Sequence, residues 1–425
     1  MKKRNFLSFT AILFLLAGLT ITSCKKDEDP DPTDQPPGDT LGLGIKVTEN
    51  ISSDVTWETG KVYILGERIT VLPGVTLTIE PGVIVKGEAG SGPNATALLV
   101  ARGGKLMAEG TAEKPIIFTS VADEIEPGQV ASPNLDTDMN GLWGGLIILG
   151  NAPISADAAS VQIEGIPVSD QNGLYGGTKA DDNSGKISYI SIRHGGSNIG
   201  EGNEINGLTL GGVGSATTIH HVEVVANQDD GIECFGGTVD VSHVLIWNQG
   251  DDGFDMDQDY TGTIDNFIGI AGEESDHGLE LDGPEGTQDK GGFTLKNGSL
   301  KGWNDDGTSG SEYADLRDGV KCTLENLYFF NYSDDSDFEI DDNDGSDNYK
   351  NGDIIISKLE FNVSHLTDGN TTIDDIMLDK SDQGDAFDGL TDDEAKVVTS
   401  ASVGADKTKF ASWTWADKKG MLADF

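Results

Sequence analysis

The sequence predicts an all-β chain: a right-handed parallel β-helix, with a short irregular and helical cap at its C-terminal side. Three observations predict it. Similar segments recur from Ile187, Ile219, Val241, Ile264, Leu295, Leu324 and Ile356, at steps of 32, 22, 23, 31, 29 and 32 residues. Steps of 22–23 are bare coils, and the longer ones carry loop insertions. Within each segment the first, fourth and sixth residues are mostly apolar and the others mostly polar. Two polar residues between inward ones mark a corner, after which strand alternation resumes. Third, the corner position holds His221, His243, Asn266, Asn297 and Asn326. Asn tolerates left-handed backbone, and its amide can bond to the next coil.

In chain order, Met1-Lys2-Lys3-Arg4 and the apolar run Phe6–Leu19 precede Ile21-Thr22-Ser23-Cys24. A basic start, a short apolar core and small residues before a cut site describe a signal peptide over residues 1–23. The run is shorter than the ~20 apolar residues a spanning helix needs. The cut site resembles the bacterial lipobox, which implies that Cys24 becomes a lipid-bearing N-terminus. Residues 24–54 follow as a tether, rich in Asp and Pro (Lys25-Lys26-Asp27-Glu28-Asp29-Pro30, Pro36-Pro37-Gly38). Such a stretch cannot bury enough apolar surface to fold. Lysines followed by acids after the lipidated Cys resemble the export signal of Bacteroidetes surface lipoproteins, implying a lipid-anchored, cell-surface position on the outer membrane. No second run is long enough to span, so a soluble body touching the membrane only through its anchor is expected.

Residues 55–361 are expected to form the β-helix. Its early coils repeat a Pro-Gly corner, at Pro73-Gly74 and Pro81-Gly82. A second strand follows in later coils: Ile232-Glu233-Cys234, Phe254-Asp255-Met256, Leu279-Glu280-Leu281 and Phe338-Glu339-Ile340. Each places an acid between inward apolar residues, so Glu233, Asp255 and Glu280 should align on an outer face. Cys234 and Cys322 lie about four coils apart, too far to pair at ~4.8 Å per coil, and read as small core residues. Residues 362–425 lose the coil pattern and are expected to cap or flank the solenoid. There Thr391-Asp-Asp-Glu394 has the form of a capping box that starts a helix, and Trp413 and Trp415 are expected to pack over the open end.

The formal charge is −45, near −48 without the three cations of the signal peptide. Such a surface repels nucleic acid, anionic lipid and polyuronates, and attracts divalent cations. The acids concentrate in pairs before the second strands: Asp229-Asp230, Asp251-Asp252, Asp305-Asp306 and Asp334-Asp335. Calcium, taking six to eight oxygens at about 2.3–2.6 Å, suits stacked carboxylates and turn carbonyls. An inverting glycosidase would use two carboxylates ~6.5–9.5 Å apart. The third reading is that Asp-Gly makes a good tight turn and recurs because the coil does. Trp303 and Tyr332 share one offset in consecutive coils, and with Glu233, Asp255 and Glu280 would form an outward ligand-binding face. Of the histidines, His277 alone stands in the acidic file.

Leu77-Thr-Ile-Glu-Pro-Gly, Asp229-Asp-Gly-Ile-Glu, Asp251-Asp-Gly-Phe-Asp and Leu316-Arg-Asp-Gly resemble segments of β-helical bacterial surface lipoproteins, and the Asn corner is similar to that of pectate-lyase-like β-helices. The order Asn227-Gln-Asp-Asp, Asp251-Asp252 and His277-Gly278 resembles the site of polygalacturonase-type glycoside hydrolases. That resemblance would assign catalysis to Asp230, Asp251, Asp252 and His277. The Arg-Ile-Lys that grips a uronate there has no counterpart, the nearest cations being Lys290, Lys296 and Arg317. The preferred expectation is a calcium-stabilised glycan- or surface-binding module. The alternative is a hydrolase of an extracellular polysaccharide.

Overall fold

The recurring coil gives each strand the same two partners, one coil before it and one after. In the computed structural model this produces two long parallel sheets. The structure describes residues 44–199, 204–304, 311–366 and 371–425. Cys24, the signal peptide, most of the tether, Asp305 and Asp306 lie outside the described residues. The first sheet has 15 strands and the second ten. The first runs in register through 185–193, 218–225, 241–247, 263–270, 293–301, 322–330 and 354–362. The molecule is a right-handed parallel β-helix with few helices, as its repeats predict.

The corner residue explains how the coil changes along the chain. Lys105–Glu109 and Ile116–Ser120 are separate strands, yet both pair with the single strand Gly185–Arg193. From there on, one left-handed residue bends a continuous strand around the corner. Tyr189, His221, His243, Asn266, Asn297, Asn326 and Lys358 occupy it, all with φ between 49° and 59°. Asn326 Nδ2 donates to Asn297 Oδ1 at 3.1 Å, as a ladder requires. The ladder stops there: Asn297 Nδ2 donates to Asp265 Oδ1 (2.7 Å), while Asn266 Oδ1 accepts the backbone N–H of Asp406. Below it the corner is an aromatic stack, His221 on His243 at 4.4 Å and on Tyr189 at 4.2 Å.

The interior is one apolar column. Cys234 stacks between Leu210 and Met256, and Cys322 between Phe293 and Ile354. Both are buried and free. Each fully buried Leu, Ile or Phe of this column contributes roughly 1.5–3 kcal/mol relative to exposure.

Three expectations need correction. Strand pairing starts before residue 55, at Ile45–Val47, and continues past 361, through Met377–Asp379 and Ala395–Val398. Thr391 and Glu394 do form the capping contacts, Glu394 Oε2 accepting from the Thr391 backbone and hydroxyl at 2.9 and 2.7 Å. They close a turn that feeds the strand Ala395–Val398, because that strand's place on the first sheet outcompetes a helix. A helix forms instead at Asn343–Asn351, with Asp342 accepting from Gly345 N at its start and Gly352 (φ 84°) ending it.

The C-terminal tail does not sit over the open end. It runs back along the outer flank of the first sheet, where Ser402 N donates to Glu360, Ala405 N to Ser299, and Ala416 N to Glu223. Phe410, Trp413, Trp415 and Leu422 cover Val225, Leu245, Trp247, Ile268 and Ile270. Those outward apolar residues are the cause, since an uncovered sheet face of that size would expose them to water. No helix among the described residues is long and apolar enough to cross a membrane.

Candidate functional site

The outer face of the second sheet carries the acids. Register places Glu233, Asp255, Glu280, Asp315 and Glu339 in one row. Two residues along each strand a second row reads Phe235, Asp257, Asp282 and Arg317. Three residues before the first row in each coil a third reads Asn206, Asp230, Asp252, His277 and Glu312. The Gly after each of Asn206, Asp230, Asp252 and His277 lets neighbouring backbones approach closely; at Gly231 a Cβ would lie 2.7 Å from the Gly253 carbonyl oxygen.

The turn acids tie coil to coil. Asp230 Oδ1 accepts the backbone N–H of Asp252 (3.0 Å), and Asp252 Oδ1 accepts that of His277 (2.7 Å). His277 Nδ1 lies 2.9 Å from the same Asp252 oxygen. Burial works against a charged His277, but the hydrogen bond and charge of Asp252 hold it at about 9. His277 also gathers with Asp252 and Glu280 into a group whose ligand atoms lie within 4.8 Å, a grouping its sequence spacing does not announce. Asp229-Asp230-Asp251 and Asp230-Glu233-Asp255 form two further such groups. Burial and neighbouring acids push Asp229 up to about 8 and Asp251 to about 6. The same causes hold Asp230, Glu233, Asp255 and Asp257 well above the usual carboxylate range.

Asp334 and Asp335 do not join this assembly. Both are exposed, and they stand four and three residues before Phe338, whereas Asp229 and Asp230 stand three and two before Ile232. The one-residue offset hands their place in the row to Ser336. Tyr332 is also corrected. It is 1% exposed and stacks on Tyr313 at 4.2 Å inside the column. Asn331 before it is left-handed (φ 63°), which turns the chain inward. Gly302, its register partner's neighbour, leaves the room that the Tyr332 ring fills.

Trp303 is half-buried and lines a cleft of about 510 Å³. The cleft opens where the first-sheet strands 241–247, 263–270 and 293–301 end and the turns toward the second sheet begin. Trp247 shares it with the amides Asn140, Asn248, Gln249 and Asn331, the acids Asp138, Glu273 and Glu274, and Met421 from the tail. Asn248 is left-handed (φ 59°) and donates to the Thr137 carbonyl at 2.6 Å, which fixes that rim. Aromatic surface with convergent amides and carboxylates can stack on a sugar ring and bond its hydroxyls.

Sequence reasoning missed Trp247, Asn206, Glu312 and the cation Lys380. Asn206 was findable, because Asn206-Gly207-Leu208 has the form of Asp230-Gly231-Ile232 and Asp252-Gly253-Phe254. Lys380, which pairs with Asp337 at 3.1 Å and with Glu339, was not, because the coil pattern of the sequence is lost from residue 362 on.

A family model described as a pectate-lyase-like β-helix domain matches residues 49–417. No curated protein and no solved structure matches the chain.

Proposed function

The chain belongs to the pectate-lyase-like β-helix domain family, and on that footing we propose that it is a glycan-binding module displayed at a cell surface. A carbohydrate-related role fits the family. The observation that carries the reading is the cleft of about 510 Å³ in which Trp303 and Trp247 stand beside Asn140, Asn248, Gln249 and Asn331. The partner is a neutral extracellular glycan, since the charge of −45 repels nucleic acid and polyuronates alike. A lipid on Cys24 would be the membrane anchor, holding the body outside the outer membrane.

One observation favours the hydrolase reading, the His277–Asp252 pair at 2.9 Å. Against it, Asp230 and Asp252 are buried and each gives an oxygen to the next coil's backbone. A general acid or base must instead reach the proton it moves. The Cys24→Ser chain, which this reading expects to leave the membrane fraction, is the material for a panel of neutral oligosaccharides. Binding that falls at least about tenfold in Trp303→Ala, with the fold intact by circular dichroism, supports the proposal; loss of one stacking aromatic is worth ~1.4 kcal/mol or more at that ratio. Binding to none of the panel, or unchanged binding in Trp303→Ala, overturns it. Reducing-sugar release abolished in Asp251→Asn/Asp252→Asn would establish the hydrolase instead.

A further inference from the structure

The cleft beside Trp303 is completed by the tail. One outward row of the first sheet runs Val225, Trp247, Ile270, Lys301 and Phe330 in register. Trp247, Ile270 and Lys301 of this row line the cleft. Lys301 is the only cation among the lining residues, whose acids are Asp138, Glu273 and Glu274. All three acids are exposed. A cation beside two indoles is what a carboxylated sugar would use, with stacking for its ring and a charged hydrogen bond for its acid group.

Lys301 is already engaged. Its Nζ donates to Asp424 Oδ2 of the tail at 2.6 Å. The neighbours of Asp424 hold it there. The Phe425 ring packs edge-on against Phe330 with centroids 5.0 Å apart, and Phe330 follows Lys301 by one coil in register. Lys407 Nζ donates to the backbone oxygens of Leu422 (3.1 Å) and Phe425. Met421, which opens the same short turn, is itself part of the cleft wall. An exposed ion pair normally contributes little, because ordering two side chains offsets the attraction. Here the turn and its anchors position Asp424 in advance, so a ligand carboxylate would have to displace it. The net charge of the chain does not settle which sugar stays, because charges more than about 8 Å away are largely screened at physiological salt. The groups lining the cleft settle it.

Resting on the reading of the cleft as a glycan site, we propose that Asp424 sets its specificity. By holding Lys301 it leaves the cleft with no unpaired cation. Uncharged sugars are retained, whereas a carboxylated sugar meets Asp138, Glu273 and Glu274 with nothing to pair it. The ligand class is therefore a glycan whose stacked sugar carries no acid group. The tail thus has two duties: Trp413 and Trp415 cover the apolar flank, and Asp424 filters what enters beside it.

The test uses the full chain with Cys24→Ser and two probes: the neutral oligosaccharide it binds most tightly, and the same oligosaccharide oxidised at C6 to the uronate. Calorimetry at low salt gives the ratio of the two affinities. The chain is expected to favour the neutral probe at least about tenfold. Adding Asp424→Asn is expected to cut that preference at least about threefold by strengthening uronate binding. The gain is expected to vanish in 1 M salt, where the Debye length falls to about 3 Å. Adding Lys301→Gln to Asp424→Asn is expected to restore the original ratio, since the gain runs through the freed ammonium. Glu49→Gln, exposed beside the first strand Ile45–Val47, removes the same charge away from the cleft and is expected to keep the ratio. The Asp424 side chain is 53% exposed, so its substitution leaves the fold intact, as circular dichroism would record. Equal affinity for the two probes, an unchanged ratio in Asp424→Asn, or the same gain in the double variant overturns the proposal and leaves the cleft as a glycan site. Binding of no neutral oligosaccharide overturns that reading, and the proposal with it.

Discussion

The two sheets of this β-helix share one interior but treat their outer faces in opposite ways. On the middle coils of the first sheet the outward rows are apolar, with Leu245 and Ile268 in one and Val225, Trp247 and Ile270 in the other. The chain covers them with its own tail. On the second sheet the early outward residues Leu99, Ile147 and Leu149 are likewise covered, by an insertion bearing Ile154, Ile163, Ile166 and Tyr175. From Glu233 onward that sheet's outer face becomes acidic, and Glu233, Asp255, Asp315 and Glu339 in its row are themselves buried. A repeat fold thus specifies its interior coil by coil, while its exterior is free to diverge. Cover is recruited where the exterior is apolar, and counter-charge where it is anionic. The cleft beside Trp303 lies at the seam, taking Trp247, Ile270 and Met421 from the covered flank and Gln249, Glu273 and Glu274 from the acidic turns.

The largest effect expected from breaking this comparison is on the covered side. Trp415 is fully buried, with the Arg193 guanidinium 5.0 Å from its ring centroid and Trp247 5.9 Å away. Trp415→Ala should cost about 3–5 kcal/mol and release the tail, seen as new proteolysis after residue 400. Loss below about 1 kcal/mol in denaturant titration would mean that the flank does not depend on its cover.

The two faces should also respond oppositely to pH. The carboxyls of Asp229 and Asp251 are raised in the folded chain, to about 8 and about 6. The native state therefore holds their protons longer than the unfolded one, and stability falls as pH rises from about 4, up to about 6 for Asp251 and up to about 8 for Asp229. His221 runs the other way: burial and the neighbouring His243 and His220 lower it to about 4 from an ordinary 6.5. Its contribution is lost as pH falls from about 6.5 to about 4. In chelator, the midpoint should fall between pH 6.5 and 8.5, where the histidine stack is neutral throughout. A flat alkaline limb in chelator would contradict the acid-face half of the comparison.

The smallest effect concerns the corner within the first sheet. Asn297 is left-handed (φ 57°), accepts from Asn326 at 3.1 Å and donates to Asp265 at 2.7 Å. Asn297→Ala should cost about 1–2 kcal/mol, from two lost hydrogen bonds and a backbone that Ala disfavours. Asn297→Gly should recover the backbone part only. Equal losses for both would place the whole effect in the bonds.

The coil was legible because its signals are local. Apolar spacing, the polar corner and the Gly after Asp230 and Asp252 each act within a few residues of the element they specify. The alignment of Glu233, Asp255 and Glu280 followed from the repeat alone. What stayed hidden depended on long-range partners or on broken parity. Arg317 reaches Asp282 across an insertion, 35 residues away in sequence. The tail finds Glu223 from Ala416, 193 residues distant. Tyr332 was misplaced because a left-handed Asn331 inverts the side its neighbour faces, and Asp334-Asp335 because one extra residue moves them out of the row. The pairing of Trp303 with Trp247 in one cleft needed both turns folded.

The most direct test of the functional account is calorimetric titration of the Cys24→Ser chain and its Trp303→Ala variant with neutral oligosaccharides. The account predicts saturable binding by the first, and an affinity at least about tenfold weaker in the second, which is ~1.4 kcal/mol. Equal affinity in the two, or binding by neither, would contradict it.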